Sequence, residues 1–331
     1  MSQANETAAS VVTEFFIVGF PGLPPKYYSL MAAFLLCIYI AVLTGNSLIV
    51  VLFVTERSLF KPMYIILLSL SLSDIGFSTV ALPKVISRYW FNDGYIPFYV
   101  CLFQRQLIHY FGTLNSLIMM IMALDRYLAI CYPLRYPVLM TNRTMRLLIG
   151  LSWVTAMIAP TISTMQTIEL PFCGPNMIVH CFCDSGSMNK LACADVRQPN
   201  LISYGVAMFV LLVPFSFIIF SYVCILVSVL RIANAQGRRK AFSTCATQLT
   251  IIVIYYVPRF IVYSTSNIPN VVSVLTSSQK IALVMFYSLL PPLMNPFIYC
   301  IRIKEVRQFF LKWCVQKNRM ILKVHKLTIS K

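Results

Sequence analysis

The 331-residue chain is 59% hydrophobic and only 11% charged, and its 27 Lys and Arg against 10 Asp and Glu give a net charge of +17. A soluble domain carries about 25% charged residues, so these charges could not solvate a water-soluble fold of this length, whereas a chain that meets lipid needs few. The basic excess does not mark a nucleic-acid binder, because it lies in short segments between apolar runs and not on one water-facing fold.

Residues Met1 to Ser10 are polar and lack a cationic stretch followed by an apolar core, so they do not read as a cleavable signal peptide. Within them, Asn5-Glu6-Thr7 is a glycosylation sequon. Seven apolar stretches follow, at about 29–53, 63–84, 98–124, 145–166, 200–228, 244–265 and 280–300, each near the roughly 20 residues needed to cross the hydrocarbon core. Backbone groups in lipid must be satisfied within their own segment, so the runs are predicted helices of an all-α, seven-transmembrane-helix bundle forming a single domain, 1–331. After the seventh run, residues about 303–315 mix cations with Phe309, Phe310, Leu311 and Trp313, the pattern of a short amphipathic helix on the inner leaflet. The two halves show no repeat.

Most Lys and Arg fall on one side of these runs: Arg57 and Lys61; Arg126, Arg135, Arg143 and Arg146; Arg231, Arg238, Arg239 and Lys240; and the tail from Arg302 onward. That side is cytoplasmic by the positive-inside rule, which puts the N-terminus and Asn5 outside. The second sequon, Asn142-Arg143-Thr144, then lies inside and stays bare.

Of eleven cysteines, Cys37, Cys131, Cys224, Cys245, Cys300 and Cys314 fall in spans or on the reducing side. Cys101, Cys173, Cys181, Cys183 and Cys193 lie outside, where disulfides persist. An odd number leaves at least one without an intramolecular partner, and spacing does not choose the pairs. His180, Cys181, Cys183 and Asp184 also resemble a metal cluster. The disulfide reading is favoured, because an oxidising compartment consumes thiols, and neither metal nor cofactor is expected.

Two helical faces carry the candidate ligand residues. In the third run Arg105, His109, Gly112 or Thr113, and Ser116 recur at three- and four-residue steps; in the sixth, Tyr256, Arg259, Phe260 and Tyr263 do the same. A buried histidine can be purely structural and an aromatic stripe can be plain packing. Arg259 favours a pocket, since a guanidinium rarely points into lipid, although it can snorkel outward. Asp74, ionisable and mid-span, is a functional candidate by default. His109, His180 and His325 are too far apart in sequence to suggest a catalytic set, and the chain is not read as an enzyme.

The run from Met122 through Asp125-Arg126-Tyr127 to Cys131, continuing into Pro133-Leu134-Arg135-Tyr136, resembles the signature of odorant receptors of the rhodopsin-like G-protein-coupled family. Gly45-Asn46, Pro62-Met63-Tyr64, Leu70-Ser71-Leu72-Ser73-Asp74, Ser221-Tyr222, Lys240-Ala241-Phe242-Ser243-Thr244-Cys245 and Pro291 to Tyr299 follow the family order over nearly the whole chain. The outer-loop run Leu170 to Asn176 is similar too, and the whole is similar to the fish-like subgroup.

The resemblance implies disulfides Cys101–Cys183 and Cys173–Cys193, leaving Cys181 over. It implies a polar cluster of Asn46, Asp74 and Asn295. It also implies an inner switch in which Asp125 holds Arg126, Tyr127 completes the motif, Pro296 lets the seventh helix bend, and Tyr222 and Tyr299 swing inward. Amine receptors of the superfamily use an acid in the third helix, and residues 98–124 contain none. The implied function is an odorant receptor that binds a small neutral or anionic molecule and activates a stimulatory heterotrimeric G protein, with membrane lipid as its other partner. A non-olfactory small-molecule receptor on the same fold is the alternative, and a transporter or channel is disfavoured by the odd span count and missing repeat. The sequence departs from the family at Asn115, often an acid, at Gln248, often a histidine, and at Leu124, often an aromatic.

Overall fold

The computed structural model describes residues 12–56, 61–231, 235–267, 275–302 and 307. In chain order these form strand β1 (Glu14–Ile17), α1 (Tyr28–Thr55), α2 (Pro62–Trp90), β2 (Tyr95–Pro97), α3 (Phe98–Cys131), α4 (Tyr136–Leu139), α5 (Asn142–Thr155), α6 (Ile158–Ile168), β3 (Met177–Ile178), α7 (Ser185–Asn189), α8 (Arg197–Leu230), α9 (Ala235–Asn267) and α10 (Ser277–Arg302). Six spans are long and apolar enough to cross a membrane by themselves, and α9 contributes a shorter apolar stretch, Leu249–Thr265. Asn5, Gln248 and Tyr299 as side chains, and the amphipathic stretch 303–315 apart from Arg307, lie outside the described residues.

The helices run past the apolar stretches that announce them. α2 continues to Trp90 and α3 to Cys131, because the hydrogen-bond ladder does not stop where lipid gives way to headgroups and water. The fourth run is two helices. Ala156, between them, is four residues before Pro160, whose ring has no N–H and crowds the carbonyl at i−4. The chain tightens there, with Met157 N–H donating to the Val154 carbonyl at 3.3 Å before α6 resumes.

α3 runs through the middle of the bundle, with Leu114, Ile118 and Ala123 fully buried. Phe34, Val54, Leu201, Phe209 and Phe220 stay exposed on outward faces, as lipid-facing residues do in a protein whose solvent there is hydrocarbon. Close approach of α1 to α10 needs Gly45, where a β-carbon would lie 3.0 Å from the Pro296 ring.

At the outer end a small sheet of order β2-β1-β3 closes over the bundle. β1 pairs antiparallel with β2, Phe15 opposite Ile96, and parallel with β3, Ile17 opposite Ile178. Strand alternation turns Phe15 and Ile17 inward, where they pack with Leu102, Phe172, Ile178 and Met188. Arg88 holds the sheet from below: its Nε donates to the Ile17 carbonyl at 3.1 Å and its guanidinium lies 5.0 Å over the Phe16 ring. Beside it, Gly19 has φ +80° and no room for a β-carbon against the Tyr89 hydroxyl, which accepts from Phe20 N–H at 2.7 Å.

Both disulfides are the pairs implied by the family resemblance. Cys101–Cys183 ties the long outer loop to α3, and Cys173–Cys193 closes the loop on itself. With Cys183 bonded to Cys101, its sulfur is unavailable to a metal at His180, Cys181 and Asp184. Cys181 is unpaired and fully buried, and burial pushes its thiol up to about 12.

The topology carries a direct prediction. Enzymatic deglycosylation should shift the protein on a gel, and Asn5→Gln should abolish that shift. A shift that survives Asn5→Gln and disappears on mutating Asn142 would reverse the orientation.

Candidate ligand cavity and inner switch

Between α3, α6, α8, α9, α10 and the outer loop lies a cavity of about 330 Å³. From the α3 face, His109, Gly112, Thr113 and Ser116 line it; from α9, Arg259 and Tyr263 do. α10 adds Ile281, Val284, Tyr287 and Ser288, α8 adds Ser203, Tyr204 and Ala207, and the roof is His180, Phe182, Asp184 and Ser185.

Three of the expected ligand residues do not reach this wall. Arg105 is 0% exposed. Its Nε donates to Ser185 Oγ at 2.8 Å and its NH2 to the Ser163 carbonyl and Oγ, both at 2.9 Å. It is a strut joining α3 to α6 and the loop, because its Nε and NH2 are taken up by serines from those two segments, while NH1 is buried with no hydrogen-bond partner among the described residues. Tyr256 and Phe260 turn instead towards α8, with ring centroids 4.9 and 5.3 Å from Phe215. The α9 stripe facing α3 and the cavity starts one residue earlier, at Tyr255, and runs through Arg259, Val262 and Tyr263. One residue is 100° of helix.

The α10 and α8 lining residues recur at helical steps, such as Ile281, Val284 and Ser288, but nothing separates that pattern from ordinary packing. Asp184 is a carboxylate supplied by the loop and not by a helix. Burial opposes its ionisation, yet His180, His109, Arg105 and the Gly186 N–H together hold its carboxyl below the usual range. Its Oδ1 is 3.9 Å from His109 Nε2, which also meets Ser185 Oγ at 3.1 Å. His180 is driven the other way: burial outweighs Asp184 and disfavours its protonation.

At the cavity floor Arg259 NH1 donates to the Tyr255 hydroxyl at 2.6 Å. The guanidinium lies 4.1 Å over the Tyr255 ring and 5.1 Å over that of Tyr287. Among the described residues no carboxylate lies within 4.0 Å of it.

Below the cavity, Asn295 Nδ2 donates to Asp74 Oδ2 at 2.8 Å. Asn46 bonds elsewhere: its Nδ2 donates to the carbonyls of Val42 and Pro292, both at 3.0 Å. The Pro292 carbonyl is the acceptor that Pro296, lacking an N–H, leaves unsatisfied in α10. Asn46 therefore mends the helix at its proline, and the expected three-residue cluster is an Asp74–Asn295 pair with Asn46 beside it. At the inner end Asp125 Oδ2 is 3.5 Å from Arg126 NH2, and Tyr136 donates to Asp125 Oδ1 at 2.8 Å. Partial burial first, then the adjacent Asp125 charge, raise the Tyr136 phenol. Arg126 also meets Met63 Sδ. The Tyr127 ring stacks edge-on with Tyr132, centroids 5.6 Å apart, and the buried Tyr222 hydroxyl has no hydrogen-bond partner among the described residues.

A family model described as "Olfactory receptor" matches residues 35–317. The chain is 34% identical to olfactory receptor 1E16 of Mus musculus, over 96% of this chain and 100% of that protein. It is 36% identical to olfactory receptor 2AT4 of Homo sapiens, over 90% and 92% respectively. Squid rhodopsin, at 19% identity, superposes with a TM-score of 0.68 over 88% of each chain and shows the same seven-helix fold. The chain belongs to the olfactory receptor family, as an odorant-sensing, G-protein-coupled receptor of the plasma membrane and not an enzyme.

Proposed function

We propose that the ligand is a small neutral or anionic molecule held in the cavity, and that the occupied receptor drives a stimulatory G protein. The observation that carries the ligand class is Arg259, a guanidinium at the cavity floor with no carboxylate within 4.0 Å among the described residues. Partial burial disfavours a half-buried guanidinium that has no counter-charge, and a ligand carboxylate or carbonyl offsets that cost through a charge-assisted hydrogen bond. The guanidinium stacks between Tyr255 and Tyr287, which speaks against snorkelling to the outer headgroups. α3 offers a cationic amine no acid within its outer three turns. Asp74, Asn295 and Pro296 below the cavity, with Asp125, Arg126, Tyr127, Tyr222 and Tyr299 further in, form the switch by which ligand and G protein bias one equilibrium reciprocally.

The test is a ligand panel read as cyclic AMP in transfected cells, comparing wild type with Arg259→Gln. Carboxylic acids should lose about 10- to 100-fold in potency, as expected for a hydrogen bond to a charged group, and neutral analogues much less, at normal surface expression. Arg259→Lys should recover part of the acid response, because it keeps the charge and loses the fork. Equal losses for acids and neutral ligands, or a collapse of surface protein, would make Arg259 structural.

A further inference from the structure

The cavity floor is one hydrogen-bonded layer across two helices. Tyr255 on α9 donates to the backbone carbonyl of Gly112 on α3 at 2.6 Å. A phenol has a single proton. With that proton on the Gly112 carbonyl, the oxygen is left to accept from Arg259 NH1 at 2.6 Å and to meet Ser116 Oγ at 3.2 Å. Tyr255 is 3% exposed, so these bonds are shielded from bulk solvent. Gly112 leaves room for the guanidinium beside this bond: a β-carbon there would lie 3.0 Å from Arg259 NH2. Directly beneath is a water-sized void of about 10 Å³ bordered by Asp74, Asn115 and Asn295, and Gly112 and Arg259 border both spaces. The layer thus separates the ligand cavity from the buried Asp74–Asn295 pair.

We propose that Tyr255 is the positioning residue that ties α9 to the α3 backbone in the resting receptor, and that a ligand engaging Arg259 loosens this tie. The tie is a matter of the geometry alone, while its release rests on the reading of Arg259 as the ligand anchor. A guanidinium donating to the phenol oxygen polarises the O–H and strengthens its bond to the Gly112 carbonyl. A ligand anion that draws the guanidinium away removes that polarisation, so the Tyr255–Gly112 bond weakens as the Arg259–ligand bond forms. The two states then differ in ligand contacts, which is the requirement for a ligand to shift their populations. The neighbouring Tyr256 packs on Phe215 of α8 and lies near the Ser116 side chain, and among the described residues its hydroxyl makes no hydrogen bond to the α3 backbone.

Tyr255→Phe removes the hydroxyl and keeps the ring under Arg259. In the full-length receptor co-expressed with its G protein and without ligand, guanine-nucleotide exchange per surface receptor should rise about fivefold or more, the effect of a coupling of about 1 kcal/mol. Exchange equal to wild type at matched surface protein would overturn the proposal. If Tyr255→Phe fails to reach the surface, Arg259→Gln decides: removing the polarising guanidinium should raise ligand-free exchange by a smaller factor, and no rise would overturn it. Should the ligand panel show Arg259 to be structural while Tyr255→Phe still raises basal exchange, the tie stands and its release through Arg259 falls.

Discussion

Arg126→Ala is expected to abolish ligand-driven signalling while leaving receptor on the cell surface. The guanidinium sits at the inner mouth of the bundle, 3.5 Å from Asp125, with its side chain 22% exposed against 1% for that of Asp125. Arg126 is therefore the member of the pair that a cytoplasmic partner reaches. Removing it leaves Asp125 its hydrogen bond from Tyr136 at 2.8 Å, so the local fold keeps an anchor. On the proposed switch, what is lost is the cation that a G protein meets once the pair opens. Coupling between sites runs at about 1–3 kcal/mol, or roughly 5- to 150-fold, and loss of the contact should use most of that range. Surface labelling alongside cyclic AMP measures both quantities in the same cells. An unchanged response would place the transducing contact elsewhere.

Loss of the Cys101–Cys183 bond should be as severe, acting on assembly instead of signalling. The bond closes a loop of sequence separation 82, and removing such a closure costs about 4–5 kcal/mol on chain entropy, a large fraction of the roughly 5–15 kcal/mol that holds a domain together. Both half-cystines are fully buried in the cluster that contains Phe15, Ile17, Phe172 and Met188, so opening it also unseats the small sheet. Cys101→Ser and Cys183→Ser should each remove surface expression, whereas Cys181→Ala deletes only a buried thiol from an apolar cluster and should be mild. Peptide mapping that joined Cys181 to Cys101 would contradict this pairing.

The seven spans are legible in the sequence because the hydrocarbon core demands a length of apolar residues that little else explains. Their ends are not: α3 continues through Asp125, Arg126 and Tyr127, which no hydropathy criterion would include. The break in the fourth span is silent in hydropathy, and Pro160 was its only local sign. In the cavity, periodicity places His109, Gly112, Thr113, Ser116, Arg259 and Tyr263 on one wall. It fails for Arg105, because the serines that hold it, Ser163 and Ser185, come from segments far along the chain. It also misses the phase of α9 by one residue, since Tyr255 and Tyr256 are chemically identical and only the packing of α8 decides which faces in. Asp184 is legible as a loop acid beside His180, Cys181 and Cys183, but its place in the cavity roof is not, because a loop has no periodicity to aim it. Spacing left the disulfide pairing open, and the family pattern supplied it.

The roof over the cavity reverses the order in which the chain is made. β1 is the central strand of its sheet, yet β2 and β3, its two neighbours, are translated long after it. Elements emerge from the ribosome N-terminal first, so β1 must wait in the lumen, its apolar Phe15 and Ile17 uncovered, until the long outer loop arrives and Cys183 finds Cys101. The outer face consequently cannot mature before the loop between α6 and α8 has been made. A nascent receptor halted before that point presents an unpaired strand and free thiols to the folding machinery, and the finished lid is a local mark that synthesis through the fourth span and its loop has succeeded.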